Sequence, residues 1–326
     1  MSLNDSGISW TDGTLNSLYG CRECSVGCRM CYAVGRVFRH SQNSKVNADG
    51  RFNDLVVEVK NDQRDDKKRR FTGAIMFDPA HLYSVLNDSE PKRVFVNEFS
   101  DLLFAALPAE LVIEHFRVFN HAQCHQFQVL TKRSERLASL NASVLDEFWE
   151  WPTNIWMGVS VCSAAKIEME RIEHLGATAA EIKWISFEPW VSDVNRPLRE
   201  AVPGLGDILS RNGISWVVIG GESGPKDDTN LMTLDDARYL VTEAKAAGCR
   251  VHFKQLGTAL AIQLGVYSTN GDHRAKGGCP DQWPSDLNVV EWPDAVTRPY
   301  MAPDRFMRRY RTDEWQRFGD EAGHRS

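Results

Sequence analysis

Four cysteines fall within eleven positions of the stretch GCRECSVGCRMCYA, residues 20–33: Cys21, Cys24, Cys28 and Cys31, in a chain that holds eight. Thiols packed this closely can form a disulfide knot, bind zinc, carry an iron–sulfur cluster, or pack as small apolar side chains. The amino terminus, MSLNDSGISWTDGT, has neither the basic nor the apolar region of a signal peptide. No apolar run approaches the roughly 20 residues of a membrane span. The expectation is a soluble cytoplasmic protein with no membrane partner, and in a reducing compartment clustered cysteines serve metals or catalysis more often than disulfides. A four-cysteine zinc site uses two CxxC pairs set far apart, whereas only Ser25, Val26 and Gly27 separate the pairs here. A cubane cluster is larger, and thiolates from one loop can reach several of its irons. Two trios are available: Cys24, Cys28 and Cys31 as CxxxCxxC, or Cys21, Cys28 and Cys31 as Cx6CxxC.

Other groups with chemical capacity recur at the ends of short apolar runs. These runs are RVFVNE (93–98), QFQVLTK (126–132), NIWMGVSV (154–161), IKWISFEP (182–189), ISWVVIGGE (214–222) and RVHFKQ (250–255). Their carboxyl ends carry Asn97, Glu98, Ser100 and Asp101; Thr131, Lys132 and Arg133; Ser160; Ser186 and Glu188; Glu222 and Ser223; Lys254 and Gln255. Between the runs lie helix-like stretches, among them PAELVIEHFRVFNHA, SAAKIEMERIEHLG and TLDDARYLVTEAKAAG. The last has Thr233 as N-cap, Asp235 and Asp236 in its first turn and Gly248 as its stop. Alternation of this kind predicts an α/β fold with a parallel sheet, a partial or full TIM-like βα barrel, whose active-site mouth is the carboxyl end of the strands. GGESG at 220–224 is not a dinucleotide fingerprint.

The expected organisation is a βα barrel over 1–270, interrupted by an insertion at about 41–77, and a carboxyl-terminal extension over 271–326 packed on the barrel. An apolar share of 42% with ten Trp and fifteen Phe can fill such a core. The net charge of −6 gives no overall attraction for nucleic acid, so any such binding needs a local patch. KKRR at 67–70, beside NDQRDD, reads as a solvated mixed-charge loop in preference to a phosphate-binding patch.

CxxxCxxC ahead of parallel strands with polar carboxyl ends resembles the radical S-adenosylmethionine enzymes. More closely, ISWTDGTLN, GC at 20–21, GCRMCYA, VNEFSDLL, VLTKRSERL, WMGVSV, FEPW, VVIGGESGP and FKQLG, in order from about residue 8 to 257, resemble a phage and prophage three-cysteine family long catalogued as a domain of unknown function. That family usually carries Cx6CxxC with an apolar residue at the place of Cys24; this chain has both candidate cysteines. SD and TKR at two strand ends are also similar, more loosely, to spore photoproduct lyase and its relatives.

The resemblance implies a 4Fe–4S cluster held by three of Cys21, Cys24, Cys28 and Cys31, S-adenosylmethionine on its fourth iron, and a reducing partner such as flavodoxin or ferredoxin. Cleavage of S-adenosylmethionine would give a 5′-deoxyadenosyl radical, acting on a nucleotide or nucleic acid, DNA or RNA. It implies that Ser100 and Asp101, with Asn97, meet the methionine ammonium and that Lys132 pairs with its carboxylate. Ser160, Ser186 and Glu188 would reach the ribose, and Gly220 and Gly221 would admit the adenine or make a tight turn. Glu222, Lys254 and Gln255 would face substrate, Lys254 being equally suited to a salt bridge with Glu188 or Glu222. Tyr32 would shield the cluster, relay a radical, or pack. Asp101 has a second reading, as the cap of a helix starting near Leu102. The alternative function is a non-catalytic scaffold whose cysteine loop binds zinc or an iron–sulfur cluster and recruits a partner protein.

Overall fold

The computed structural model describes residues 3–60, 67–225, 229–267, 277–294, 298–299 and 308–319. The chain forms two compact units, residues 1–155 with 296–326, and residues 156–295. The division falls inside the run of βα repeats that the sequence reading takes as one barrel, and the segment from 271 onward is shared between the units.

The first unit contains, in chain order, β1 (Asn4–Asp5), β2 (Gly13–Leu15), β3 (Leu18–Tyr19), α1 (Tyr32–Gln42), β4 (Val56–Lys60), β5 (Lys67–Phe71), β6 (Ile75–Phe77), α2 (Pro79–Ser84), β7 (Arg93–Val96), α3 (Ala109–His121), β8 (Gln126–Thr131) and α4 (Leu137–Phe148). Its main strands run β1-β2-β7-β8, with β2, β7 and β8 mutually parallel. β7 and β8 are buried on both faces, as parallel strands covered by helices must be. Phe119 of α3 stacks on Phe127 of β8 with ring centroids 4.2 Å apart, which fixes that helix on the sheet. A separate small sheet joins β3, β6 and the strand Gln316–Phe318. Beneath the cysteines, Ala33, Val34 and Val37 of α1 close a core with Phe52, Leu55, Phe71, Met76 and Phe99. A fully buried Val or Leu in such a cluster contributes about 1.5–3 kcal/mol.

The insertion at 41–77 proves to be the end of α1, the antiparallel hairpin β4–β5, and β6. KKRR is therefore a strand and not a loop. Its Arg69 stands opposite Glu58, a cross-strand pair of opposite charge 3.3 Å apart. NDQRDD lies outside the described residues.

The second unit contains β9 (Ile155–Ser160), α5 (Lys166–Gly176), β10 (Lys183–Phe187), α6 (Leu198–Ala201), α7 (Leu205–Arg211), β11 (Ile214–Gly220), α8 (Leu234–Ala246), β12 (Arg250–Gln255) and α9 (Thr258–Gln263). β9-β10-β11-β12 are parallel throughout. Trp156, Trp184 and Trp216 pack together, with centroids 5.7 and 5.2 Å from Trp216. The outer edge of β12 is covered by a later segment: Phe253 N donates to Val289 O, and Glu291 N to Val251 O. That cover prevents an open edge from templating aggregation. All six apolar runs contain strands, so the α/β expectation with parallel strands and helical connections holds, an arrangement compatible with a partial barrel.

Candidate metal centre and the polar strand ends

The cysteine loop begins at Gly20, whose φ of +98° and whose 2.2 Å gap between a would-be Cβ and Ala74 O admit glycine alone. Gly20 N donates to Phe99 O and the Ser100 hydroxyl donates to Gly20 O, at 3.1 and 2.7 Å, so the loop is tied to the carboxyl end of β7. From the end of β8, the buried Arg133 donates to Arg22 O at 2.7 Å and lies 3.9 Å from Cys21 Sγ. Its guanidinium stacks over Phe104 at 4.6 Å. A short 3-10 turn, Val26–Met30, then delivers Cys31 as the residue that precedes α1.

Cys24 and Cys28 place their sulfurs 3.8 Å apart, and Cys24 N points at Cys28 Sγ from 3.5 Å. Hydrogen bonding from the Cys24 thiol, then from the Cys24 amide, with the charge of Lys132 adding to both, pulls Cys28 down to about 4. The close contact of the two sulfurs thus lowers Cys28 and pushes Cys24 above the ordinary thiol range. Burial by surrounding protein raises Cys21 to about 12, the charge of Asp101 adding to the rise and Arg133 opposing it. Protein packed around its sulfur likewise raises Cys31, an exposed residue, against the opposing charge of Lys132. Among the described residues, no three His, Cys, Asp or Glu side chains are gathered in metal-holding geometry. The donor set nevertheless suits a soft metal: four thiols on one loop beside Lys132 and Arg133. The thiols would give up protons on binding.

Asp101 is committed elsewhere. Its Oδ1 accepts from Thr131 Oγ1 and Leu103 N, at 2.7 and 3.0 Å, and its Oδ2 accepts from Lys132 N at 3.0 Å. It caps a turn, and α3 begins only at Ala109, so the helix expected near Leu102 is absent. Asn97, at φ +58°, accepts from Ser17 N and Leu18 N and holds β3 to β7. Ser100 is the loop tie described above. Three residues expected at the methionine ammonium therefore build the platform under the cysteines. Lys132 is half-buried beside the thiols, and Tyr32 is 55% exposed and so is not packed away. Arg133 and Thr131 were visible only as parts of a polar strand end; what they bind could not be read from spacing.

In the second unit, Lys254 Nζ lies 2.5 Å from Glu188 Oε1, so Glu188 is the salt-bridge partner and Glu222 is not. Glu222 instead accepts from the backbone N and side-chain Nδ2 of Asn230, at 2.8 and 2.7 Å. Gln255 donates to Gly221 O and Ser223 Oγ. A Cβ on Gly221 would lie 2.2 Å from Leu256 O, and one on Gly220 would press on Glu188. Both glycines therefore serve close chain packing here. Ser160 and Ser186 are buried and face each other in register across β9 and β10. Cys124, Cys162 and Cys249 are buried, as inert core thiols are, and Cys279 is partly exposed.

No curated protein and no solved structure matches the chain. Residues 5–308 match the family model described as "Protein of unknown function (DUF5131)". With nearly its whole length matched, the chain belongs to that family.

Proposed function

We propose that the protein is an iron–sulfur enzyme of the radical S-adenosylmethionine type, with Cys28 and Cys31 as two cluster ligands and Cys21 or Cys24 as the third. The observation that carries this reading is the loop itself: four thiols on one loop tied to the ends of β7 and β8, with the Cys24 and Cys28 sulfurs 3.8 Å apart and the charge of Lys132 lowering Cys28. When bound, a 4Fe–4S cluster with S-adenosylmethionine supplies one-electron cleavage of the sulfonium to a 5′-deoxyadenosyl radical. The chain's own residues do the positioning. Lys132 lowers the cost of negative sulfur and has the charge to pair with a carboxylate. Arg133 and Ser100 hold the loop backbone, and Asp101 fixes the backbone of Lys132. Anaerobic reconstitution with iron and sulfide tests the reading. An absorption band at about 400 nm, and an EPR signal that changes when S-adenosylmethionine is added, are the expected results. A colourless protein that excludes iron would end it.

A second reading, a non-catalytic zinc scaffold, is favoured by one distance. Two thiolates on one tetrahedral ion with bonds of about 2.3 Å sit roughly 3.8 Å apart, which is the Cys24–Cys28 separation. The internal commitment of Asp101 and Asn97 points the same way. Stoichiometric zinc in the purified protein, retained through iron reconstitution, would select it.

A further inference from the structure

We infer that the face of the first unit built from α1 and β5, beside the cysteine loop, binds single-stranded nucleic acid. Residues 20–45 and 67–71 carry nine Lys or Arg against a single Glu, in a chain whose net charge is −6. The fold brings these two stretches together. Val34 and Val37 of α1 share a core with Phe71 of β5, and the Arg69 guanidinium lies 4.0 Å over the ring of Phe38. The basic sequence that alone reads as a solvated loop thus sets Arg69 beside the basic residues of α1.

On α1 the outward stripe is Tyr32, Arg36 and Arg39, four and three residues apart and all exposed. Arg29 extends the stripe towards the cysteines, and Arg69 continues it on the hairpin, again exposed; Arg70, the next residue of the strand, leaves from the hairpin's other face towards Glu23. Three of these cations have acidic neighbours: Arg36 with Glu98 at 3.8 Å, Arg69 with Glu58 at 3.3 Å and Arg70 with Glu23 at 3.7 Å. Their side chains stay 44–53% exposed, and ion pairs this open are weak and readily exchanged for a phosphate. Guanidinium groups spread along a surface suit a repeating phosphate chain, since each can grip two oxygens. The flat exposed ring of Tyr32, with the Arg36 guanidinium 5.9 Å from its centroid, adds a stacking platform for an unpaired base. A cationic track with an aromatic platform selects a single strand over an acidic protein surface, which has no bases to stack.

This deepens the catalytic reading of the cysteines and rests on it only in making the bound strand the substrate; binding itself needs no metal. The test is fluorescence anisotropy with the full-length protein and a labelled single-stranded DNA of about 20 nucleotides, enough to span a typical single-strand site. Affinity should fall with salt at a log–log slope of about −0.7 per phosphate held. The triple change Arg36→Ala, Arg39→Ala and Arg69→Ala should weaken binding at least tenfold and flatten that slope by about 2. Tyr32→Ala should cost about fivefold or more, as loss of one stacked base does. Arg211→Ala on the second unit, also exposed, should change nothing. An unchanged triple variant, or equal binding of polyglutamate, would overturn the inference. Iron content measured on the same samples keeps the two ideas apart. Iron without DNA binding sinks this one, and DNA binding by protein that cannot take up iron sinks only the cluster.

Discussion

At the ends of β7 and β8, Ser100 and Arg133 hold a loop whose thiols stay partly open to solvent, and Asp101 fixes the backbone of Lys132 beside it. At the ends of β10, β11 and β12, Glu188, Glu222, Lys254 and Gln255 bond to each other or to nearby loop groups. The two regions look alike in sequence, a polar residue after each apolar run. They differ in what their polarity is for. In the first unit it supports a separate loop that carries four thiols; in the second it closes on itself.

The sharpest way to break this contrast is through metal content. Cys28→Ser removes one of the two paired thiols and should abolish iron or zinc uptake, while Lys254→Met should leave uptake at the parent level. Metal analysis of both purified variants decides it, and equal loss in both would erase the distinction between the units.

A large effect on stability should come from a buried histidine of α3. His115 is fully buried, with Nδ1 2.7 Å from Leu111 O and Nε2 2.8 Å from Ser17 Oγ. A neutral ring donates from Nδ1 and accepts from the hydroxyl. Burial holds its pKa down at about 4, against an ordinary 6.5. The unfolded chain therefore takes up a proton below pH 6.5, and the folded chain does so only near pH 4. Stability should fall across that window by about 3 kcal/mol in all. Denaturant titrations at pH 7 and 4.5 should show this slope in the parent and lose it in His115→Gln; an equal slope in both assigns it to other groups.

The closed network of the second unit should respond next. Lys254→Met strands the 11%-exposed carboxylate of Glu188 and should destabilise the fold by about 2 kcal/mol. Adding Glu188→Gln should restore most of that loss. A double variant no better than the sum of the singles would show that the pair is not coupled.

The smallest effects should come from two helix starts that differ in kind. Thr233 caps α8 by accepting from Asp236 N at 3.2 Å, whereas Cys31 precedes α1 in extended backbone with no side-chain cap bond. Thr233→Ala should cost about 1 kcal/mol, and Cys31→Ser should gain about 0.5–1 kcal/mol while lowering metal uptake. A melting temperature that falls in Cys31→Ser would mean that the position is tuned for packing and not held for its sulfur.

Much of this was legible in the sequence because it is local. Apolar runs such as ISWVVIGGE become strands by their own pattern, and Thr233 and Gly248 bound a helix from either end. Cys28 and Cys24 lie four residues apart, so their pairing too is short-range. Tertiary structure alone decided which polar groups are free. Asp101 and Thr131 are thirty residues apart, Ser100 and Gly20 eighty, and only parallel pairing of β2, β7 and β8 brings them together. In the same way, KKRR reads as a loop until the hairpin forms against α1. Hydrogen bonds and charge patches are short-ranged in space, and the chain that links their members is not.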